Sequence, residues 1–281
     1  MGTDSMETAM ENAENAIKVV KDFYNAAVEK EWNRIANRPE FLVARRFMQR
    51  YIKPGDKVLD IGGGPGRYSL WLAEMGCDVT LFDLSPENVK FAAAKAKELG
   101  LPLQTVCGDA RIADELVQQG AFDHVLLMGP LYHLLEECDR VQAVEAALRL
   151  LKNGGVLFAS FINLLAILIY VMKSAPELVN HPDEGVFARR SILAQKSYAG
   201  DAFTQAFFIP QEEVLPFMAQ FPLEKLHLIG QEGALSHCEQ NITAQPQEIY
   251  DEWLDFAEQL AEREDLLNWS EHIMYIGRKL L

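Results

Sequence analysis

Three aspartates and a glycine-rich loop carry the pattern with the clearest chemistry in this chain. Asp60 ends an apolar run, and four glycines follow it within the segment 62–66. Asp83 and Asp109 each follow a further apolar run. The carboxyl ends of neighbouring parallel strands meet at one edge of a sheet, where open α/β folds bind their ligands. We therefore expect the loop and the three carboxylates to face one ligand.

The residue types indicate which ligand this edge suits. A glycine loop leaves backbone N–H groups open to close approach, because a Cβ would block it. A carboxylate after the second strand can accept from both ribose hydroxyls, and one after the third from the amino group of adenine. The dinucleotide fingerprint G-x-G-x-x-G needs glycine where Arg67 stands, and Asp60 would repel a pyrophosphate. S-adenosylmethionine, with its ammonium and sulfonium, fits an acidic residue there.

The elements that must position these residues alternate along the chain. Buried apolar runs alternate with helical spacing, which is typical of a parallel sheet covered on both faces. We predict an α/β, doubly wound, mainly parallel seven-stranded sheet with helices on both faces and helical cap insertions. The predicted strands are 57–61, 78–83, 103–107, 122–128, 156–162, 223–230 and 273–278.

The same pattern predicts four parts. Residues 1–52 form an N-terminal helical lid or cap, and 53–163 the cofactor-binding core. Residues 164–210 are a helical cap insertion. Residues 211–281 complete the sheet and contain a second helical insertion at about 233–268. In that insertion an acidic helix is predicted to carry four apolar residues on one face: Ile249, Trp253, Phe256 and Leu260.

Composition excludes several classes of function. The chain has 281 residues, 49% of them hydrophobic, and suits a soluble globular protein with a sizeable core. A net charge of −15 disfavours nucleic acid as a partner. The apolar run 156–172 is interrupted by Ser160 and Asn163, so we expect a buried strand and a helix start rather than a membrane span. The four cysteines form no Cys-x-x-Cys pair, and no metal site is expected. We expect a cytoplasmic protein.

With these residues in view, the chain resembles the class I, Rossmann-like S-adenosylmethionine-dependent methyltransferases, and more narrowly bacterial small-molecule methyltransferases. The resemblance covers about residues 58–161. It implies direct in-line transfer of a methyl group to a small-molecule acceptor, with S-adenosylhomocysteine as product. The motifs that carry it are 60–66, Asp83, 108–110 and 150–155, together with 62–68 and 129–134 for the narrower group.

The resemblance also implies which residues bind the cofactor. Asp60 and the backbone of Gly62 and Gly64 would hold the methionine portion. Asp83 would bind the ribose, and Leu84, Asp109 and Ala110 would bind the adenine. Met128 and Gly129 would line the floor beneath the sulfonium.

The loop after the fourth strand occupies the position that meets the methyl acceptor in this family. Nucleic-acid amino methyltransferases carry Asn or Asp there, and Gly129 lacks that side-chain acceptor. His133 is a candidate general base because imidazole titrates near neutrality, or else it positions the loop. Tyr132 is a candidate catalytic donor or a packing residue. Tyr24 and Trp32 are candidate lid residues over the cofactor, or core.

Two other functions stay open from the residues alone. A nicotinamide-dependent oxidoreductase would share the first strand, the loop and Asp83, but would leave Asp60 and Asp109 unexplained. A non-catalytic S-adenosylmethionine-binding module would keep the same cradle. Neither the acceptor atom nor the oligomeric state follows from the sequence.

Overall fold

The computed structural model describes the backbone of residues 3–182 and 184–281, and the side chains of 14–182 and 189–281. The predicted lid and the first insertion include residues 1, 2 and 183, which lie outside these ranges. The helices are α1 Thr3–Ala26, α2 Val28–Arg34, α3 Pro39–Met48, α4 Arg67–Glu74, α5 Pro86–Leu99, α6 Ala113–Leu116, α7 Glu137–Leu150, α8 Ala166–Ser174, α9 Glu184–Ala194, α10 Gln211–Met218, α11 Glu239–Thr243 and α12 Gln247–Leu260. The strands are β1 Lys57–Ile61, β2 Asp78–Asp83, β3 Gln104–Cys107, β4 Phe122–Leu127, β5 Leu151–Asn163, β6 Tyr198–Asp201, β7 Gln205–Ile209, β8 Leu223–Gly230 and β9 His272–Lys279.

The chain divides into two compact units. The first comprises Met1–Asn33, Lys53–Gly155 and Ala199–Phe207. The second comprises Arg34–Ile52, Val156–Tyr198 and Phe208–Leu281. These boundaries cut across the four parts expected from the sequence, so that division stays a prediction.

The sheet of the first unit is parallel and carries the predicted strand ends. β1 lies between β2 and β4, with Asp60 opposite Leu81 and Leu126, and β3 pairs with the far side of β2. Leu59, Leu81 and Leu126 are fully buried, as expected where helices cover both faces of a sheet. The α/β, doubly wound architecture predicted from the sequence is confirmed here.

Local capping explains why the helix after β2 begins where it does. Ser85 is the N-cap of α5, and its hydroxyl oxygen accepts from the Asn88 backbone N–H at 3.1 Å. Pro86 occupies the first helical position, where its missing N–H costs nothing. Gly100 ends the helix in the left-handed conformation, at φ +68°. The end of β2 is therefore fixed next to a helix N-terminus.

The second unit contains antiparallel pairs. β9 runs antiparallel to both β5 and β8, while β5 pairs with β7 in parallel at only two positions. All seven predicted strands are present. The expectation that 164–210 is helical was wrong at β6 and β7, which follow α8 and α9. Strands of four and five residues are too short to show a clear period in the sequence.

The long apolar run resolves as the sequence predicted. Its first part belongs to β5, and α8 begins at Ala166. Within the described part of the chain, no helix combines the length and the apolarity needed to cross a bilayer.

A buried ion pair lies at the start of β9. The His272 Nδ1 atom is 2.5 Å from a Glu232 carboxylate oxygen, and Ser270 Oγ donates to the other oxygen at 2.6 Å. Arg34 donates to the nearby Glu40 at 2.9 Å. The ligand atoms of Glu40, Glu232 and His272 lie within 4.8 Å of one another, close enough for a metal. The ion pair and hydrogen bonds account for this arrangement without one.

This pair makes the stability of the protein depend on pH. Burial alone would lower the pKa of His272, but the Glu40 and Glu232 carboxylates outweigh it and raise this pKa to about 9. The folded state therefore binds the proton more tightly than the unfolded state, whose histidine titrates near 6.5. The stabilisation is complete below that value and is lost as the pH rises through 9. We expect the free energy of unfolding to fall by up to about 3 kcal/mol across this range.

Urea denaturation between pH 6 and 10 measures this dependence. His272→Asn keeps a donor near the Nδ1 position but cannot be protonated, so its unfolding free energy should change less over the same range. An equal fall in the wild type and this variant would contradict the assignment.

Candidate functional site

The glycines of the loop between β1 and α4 are required by backbone conformation or by lack of space. Gly62, Gly64 and Gly66 adopt φ values of +74°, +56° and +94°, which other residues rarely tolerate. A Cβ on Gly62 would lie 2.5 Å from the Pro130 Cδ atom, and one on Gly63 would lie 2.7 Å from a carboxylate oxygen of β1. The glycines are therefore required by geometry, and they leave backbone at the surface of the strand edge.

The carboxylate of Asp60 lies beneath this loop, and one of its two oxygens has no hydrogen-bond partner among the described residues. Its side chain is fully buried, and one oxygen accepts from Ser69 Oγ at 2.6 Å. The other oxygen has no partner among the described residues. Burial raises the pKa of Asp60 to about 6, the Ser69 hydroxyl partly offsets this, and the charge of Asp83 adds to it. A buried acceptor left unpaired destabilises the folded state, so the site favours a ligand that brings a cationic donor.

Asp83 ties the glycine loop to the start of α5. One carboxylate oxygen accepts from the Gly64 N–H at 2.8 Å. The other accepts from the Ser85 N–H at 2.8 Å and from the Asn88 amide at 3.2 Å. Burial raises its pKa even though these hydrogen bonds oppose the shift. Asp83 thus organises the loops after β1 and β2, and its predicted role toward a ribose stays a prediction.

Asp109 is held by a neighbour that the sequence analysis did not assign. Arg111 donates to it at 2.8 Å, and the same guanidinium reaches Asp139 at 3.1 Å. Asp109 also accepts from the Arg111 backbone N–H at 2.9 Å, which caps a short helical turn. Ala110 lies buried in that turn and Leu84 is half-buried after β2. The three residues predicted to contact adenine thus follow β2 and β3, as the motif order implied.

The loop after β4 approaches the glycine loop closely. A Cβ on Gly129 would lie 3.0 Å from the Gly62 carbonyl oxygen, which explains the absence of a side chain there. Tyr132 donates its hydroxyl to the Met128 carbonyl at 2.7 Å. Met128 is buried. The geometry therefore gives Tyr132 a part in closing this loop, and its catalytic role stays a prediction.

His133 has a defined tautomer in this loop. Its Nδ1 atom is 2.9 Å from the Gln205 backbone carbonyl, which can only accept a hydrogen bond. Nδ1 therefore carries the proton in the neutral ring, and Nε2 is the acceptor. Tyr24 OH lies 2.7 Å from Nε2 and donates to it. Tyr24 is thus hydrogen-bonded to the candidate base.

Aromatic rings surround this imidazole. Phe203, in the turn between β6 and β7, lies 5.8 Å from the His133 ring, and Phe23 lies 6.1 Å from Phe203. Tyr132 packs edge-on against His133 at 4.9 Å. The ring of Phe203 is 52% exposed. These rings form an apolar surface beside the one imidazole that the sequence proposed as a base.

The segment from Tyr24 to Trp32 contacts three loops at the strand ends. Besides the contact of Tyr24, Asn25 accepts from Ser85 Oγ at 2.6 Å after β2. Arg67, at the start of α4, donates to the Trp32 carbonyl at 2.6 Å and stacks on its ring at 3.4 Å. The segment 24–32 thus lies against the edge that carries the glycine loop. This placement is consistent with a lid, which stays a prediction for both aromatic residues.

Arg140 holds the loop after β4 in place, and the sequence analysis did not identify it. It donates to the Leu134 and Leu135 carbonyls at 2.7 and 2.8 Å, and its guanidinium stacks on Phe207 at 3.5 Å. Burial lowers its pKa. Its backbone partners and Phe207 carry no sequence signal that would point to this arginine.

Comparisons with known proteins match the region that carries these loops. Residues 58–155 match the model of a methyltransferase domain. A ubiquinone biosynthesis O-methyltransferase from Xanthomonas campestris pv. campestris (strain B100) is 38% identical over 115 residues, which are 41% of this chain and 46% of that protein. The Xylella fastidiosa (strain 9a5c) protein of the same name is 41% identical over 110 residues, 39% of this chain and 43% of its own. The chain thus spans about half the length of these curated relatives.

Solved structures share the fold across most of the chain. The Burkholderia thailandensis 1,6-didemethyltoxoflavin-N1-methyltransferase, solved with S-adenosylhomocysteine, aligns with a TM-score of 0.57 at 16% identity, over 96% of this chain and 91% of its own. The [4+2]-cyclase SpnF aligns with a TM-score of 0.54 at 20% identity, over 89% and 83%. The resemblance found in the motifs is confirmed at the level of fold: the chain shares its Rossmann-like fold with solved S-adenosylmethionine-dependent methyltransferases, and residues 58–155 match a methyltransferase domain.

Proposed function

We propose that this protein is a cytoplasmic enzyme that transfers a methyl group from S-adenosylmethionine to a small-molecule acceptor. The observation that carries the proposal is the unpaired, buried oxygen of Asp60 under a glycine loop. A nicotinamide dinucleotide would bring a pyrophosphate to that carboxylate, whereas S-adenosylmethionine brings an ammonium. The match of residues 58–155 to a methyltransferase domain supports the same choice.

The residues present fit this cofactor in the order that the motifs imply. Asp60 and the backbone of Gly62 and Gly64 would hold the methionine portion. Asp83 would meet the ribose through the free lone pairs of its oxygens. Leu84, Asp109 and Ala110 would hold the adenine, and Met128 and Gly129 would line the floor beneath the sulfonium.

Methyl transfer requires little chemistry from the protein itself. When bound, S-adenosylmethionine supplies a methyl group on a cationic sulfur that leaves as a neutral thioether. The chain must then align the acceptor with that methyl group and exclude water. The segment 24–32 suits the second task because it is anchored to the loops after β1, β2 and β4.

A protonated acceptor also needs a base, and Tyr24 with His133 can supply one. His133 Nε2 accepts from Tyr24 OH, so the acceptor's proton would pass to the phenol oxygen as the phenol proton passes to Nε2. The Gln205 carbonyl holds the imidazole in the tautomer that this transfer requires. Tyr132 would position the loop through the Met128 carbonyl.

Charge and the acceptor loop support a small molecule over nucleic acid. The net charge of −15 repels a phosphate backbone, and Gly129 offers no side-chain acceptor for a base amine. The curated relatives named above match over only 41% and 39% of this chain, so their acceptor is not carried over. The rings of Phe23, Tyr132 and Phe203 favour an acceptor with an apolar or planar part.

A calorimetric titration with S-adenosylhomocysteine, after removal of co-purified ligand, tests the cofactor. We expect one-to-one micromolar binding and no saturable binding of NADH. Turnover is then measured by mass spectrometry with a panel of small acceptors, because the shared fold also occurs in a [4+2]-cyclase. Binding of NADH without S-adenosylhomocysteine would contradict the proposal.

Asp60→Asn should stabilise the folded protein and weaken the binding of S-adenosylhomocysteine. The pKa of Asp60, raised by burial to about 6, means that stability is lost as the pH rises from about 4 through 6. Asn removes this penalty, so the free energy of unfolding at pH 7.5 should rise by about 1–3 kcal/mol. The affinity for S-adenosylhomocysteine should fall about tenfold or more. Asp78→Asn, an exposed change on β2, is the control, and unchanged affinity in Asp60→Asn would refute the assignment.

Tyr24→Phe should separate proton transfer from cofactor binding. Without the hydroxyl, kcat with an acidic acceptor should fall about 100-fold. The Kd for S-adenosylhomocysteine should change less than about twofold, since the ring still packs on His133. His133→Asn should also lower kcat with that acceptor, because the amide cannot take up the phenol proton. The control is Tyr170→Phe on α8, and wild-type kcat in Tyr24→Phe would exclude the relay.

A further inference from the structure

Helix α12 carries two apolar stripes, of which one is buried. Tyr250, Leu254 and Ala257 are at most 3% exposed, and the Tyr250 hydroxyl donates to the Asn37 carbonyl at 2.8 Å. The stripe that the sequence predicts lies one residue away along the helix and remains open to solvent. Its members are Ile249 (45% exposed), Trp253 (41%), Phe256 (50%) and the half-buried Leu260.

An apolar cavity of about 360 Å³ opens beside the exposed stripe. Trp253 and Phe256 pack edge-on, with ring centroids 6.3 Å apart, and form one wall. The space suits a large apolar side chain, the type of anchor that dominates the energy of protein interfaces. The lining includes Trp253, Phe256 and Leu260 of α12, together with Leu235, Cys238 and Ile242 from the preceding segment.

The charge beside the stripe is strongly negative. Residues 247–265 contain eight acidic residues and one arginine. Glu248, Glu252 and Asp255 flank the stripe, three or four residues apart, and none of them lines the cavity. Asp255 accepts from Arg46 at 2.5 Å. Glu248 and Glu252 are exposed, and no ion pair is found for either within the described side chains.

This combination selects one class of occupant. A second copy of this chain would place its own acidic row opposite the same row. Each copy also has a net charge of −15, so repulsion between the copies disfavours this occupant. An anionic membrane surface is disfavoured by the same field. We propose that the exposed stripe of α12 docks an amphipathic helix of a partner protein, with an apolar anchor in the cavity and lysines or arginines beside Glu248 and Glu252. This is the helix-in-groove mode of recognition.

The probe is a labelled helical peptide of about 18 residues, with leucines and one tryptophan on one face and lysines beside them. Fluorescence anisotropy with the full chain should give saturable binding with a Kd on the order of 1–10 µM. A peptide of the same composition with a scrambled apolar face should bind about tenfold more weakly. Trp253→Ala/Phe256→Ala should weaken binding about tenfold, and Glu248→Lys/Glu252→Lys should do so at low salt.

Trp269→Ala is the matched control, because Trp269 is 49% exposed but outside the cavity lining. Thermal melting confirms that each variant is folded. The proposal is overturned if the peptide does not bind, or if the scrambled peptide binds equally well. It also fails if the stripe variants bind like Trp269→Ala. Self-association that the stripe variants abolish, or binding to anionic vesicles, would assign the face to another occupant.

Discussion

The candidate site depends on one constraint, the close approach of the loop after β1 to the loops after β2 and β4. A Cβ on Gly62 would clash with the Pro130 ring at 2.5 Å, and a Cβ on Gly129 would make a tight contact of 3.0 Å with the Gly62 carbonyl oxygen. Asp83 joins the same loop to α5 through the Gly64 N–H. A side chain at Gly62 would therefore push the loops after β1 and β4 apart. The backbone donors and the buried carboxylates would then no longer face one ligand.

This close packing also explains the electrostatics of the site. Asp60 lies under the loop without solvent, so its charged form is disfavoured and its pKa is raised to about 6. The free energy lost there is recovered only when a cationic group arrives. The charge of the ligand group that approaches Asp60 should therefore strongly affect binding. The proposed role of Asp60 follows from this: an unpaired buried carboxylate would disfavour a pyrophosphate and favour an ammonium, a distinction that the glycines alone do not make.

The parts of the fold predicted from the sequence are those that local patterns determine. The buried parallel strands and the order of the three aspartates both follow from residues close together in the chain. The hydrogen bonds of His133 do not, because Tyr24 and the Gln205 carbonyl come from distant segments. A backbone carbonyl has no sequence signature at all. The strands β6 and β7 were missed for a related reason, since short strands are specified by their pairing more than by their own period.

Helix α12 illustrates the opposite limit of sequence reasoning. A period near 3.6 residues identifies an apolar face, but it does not say what covers that face. Here two stripes differ by one residue, and the smaller, more compact one with Ala257 and Ala261 faces the unit's own core. Small residues let the helix pack closely, so the bulky Trp253 and Phe256 are left outward. Two features of this surface are unfavourable in the free protein. The apolar surface of the two aromatic side chains is exposed to water, and the neighbouring carboxylates repel one another. A cationic amphipathic helix relieves both costs together.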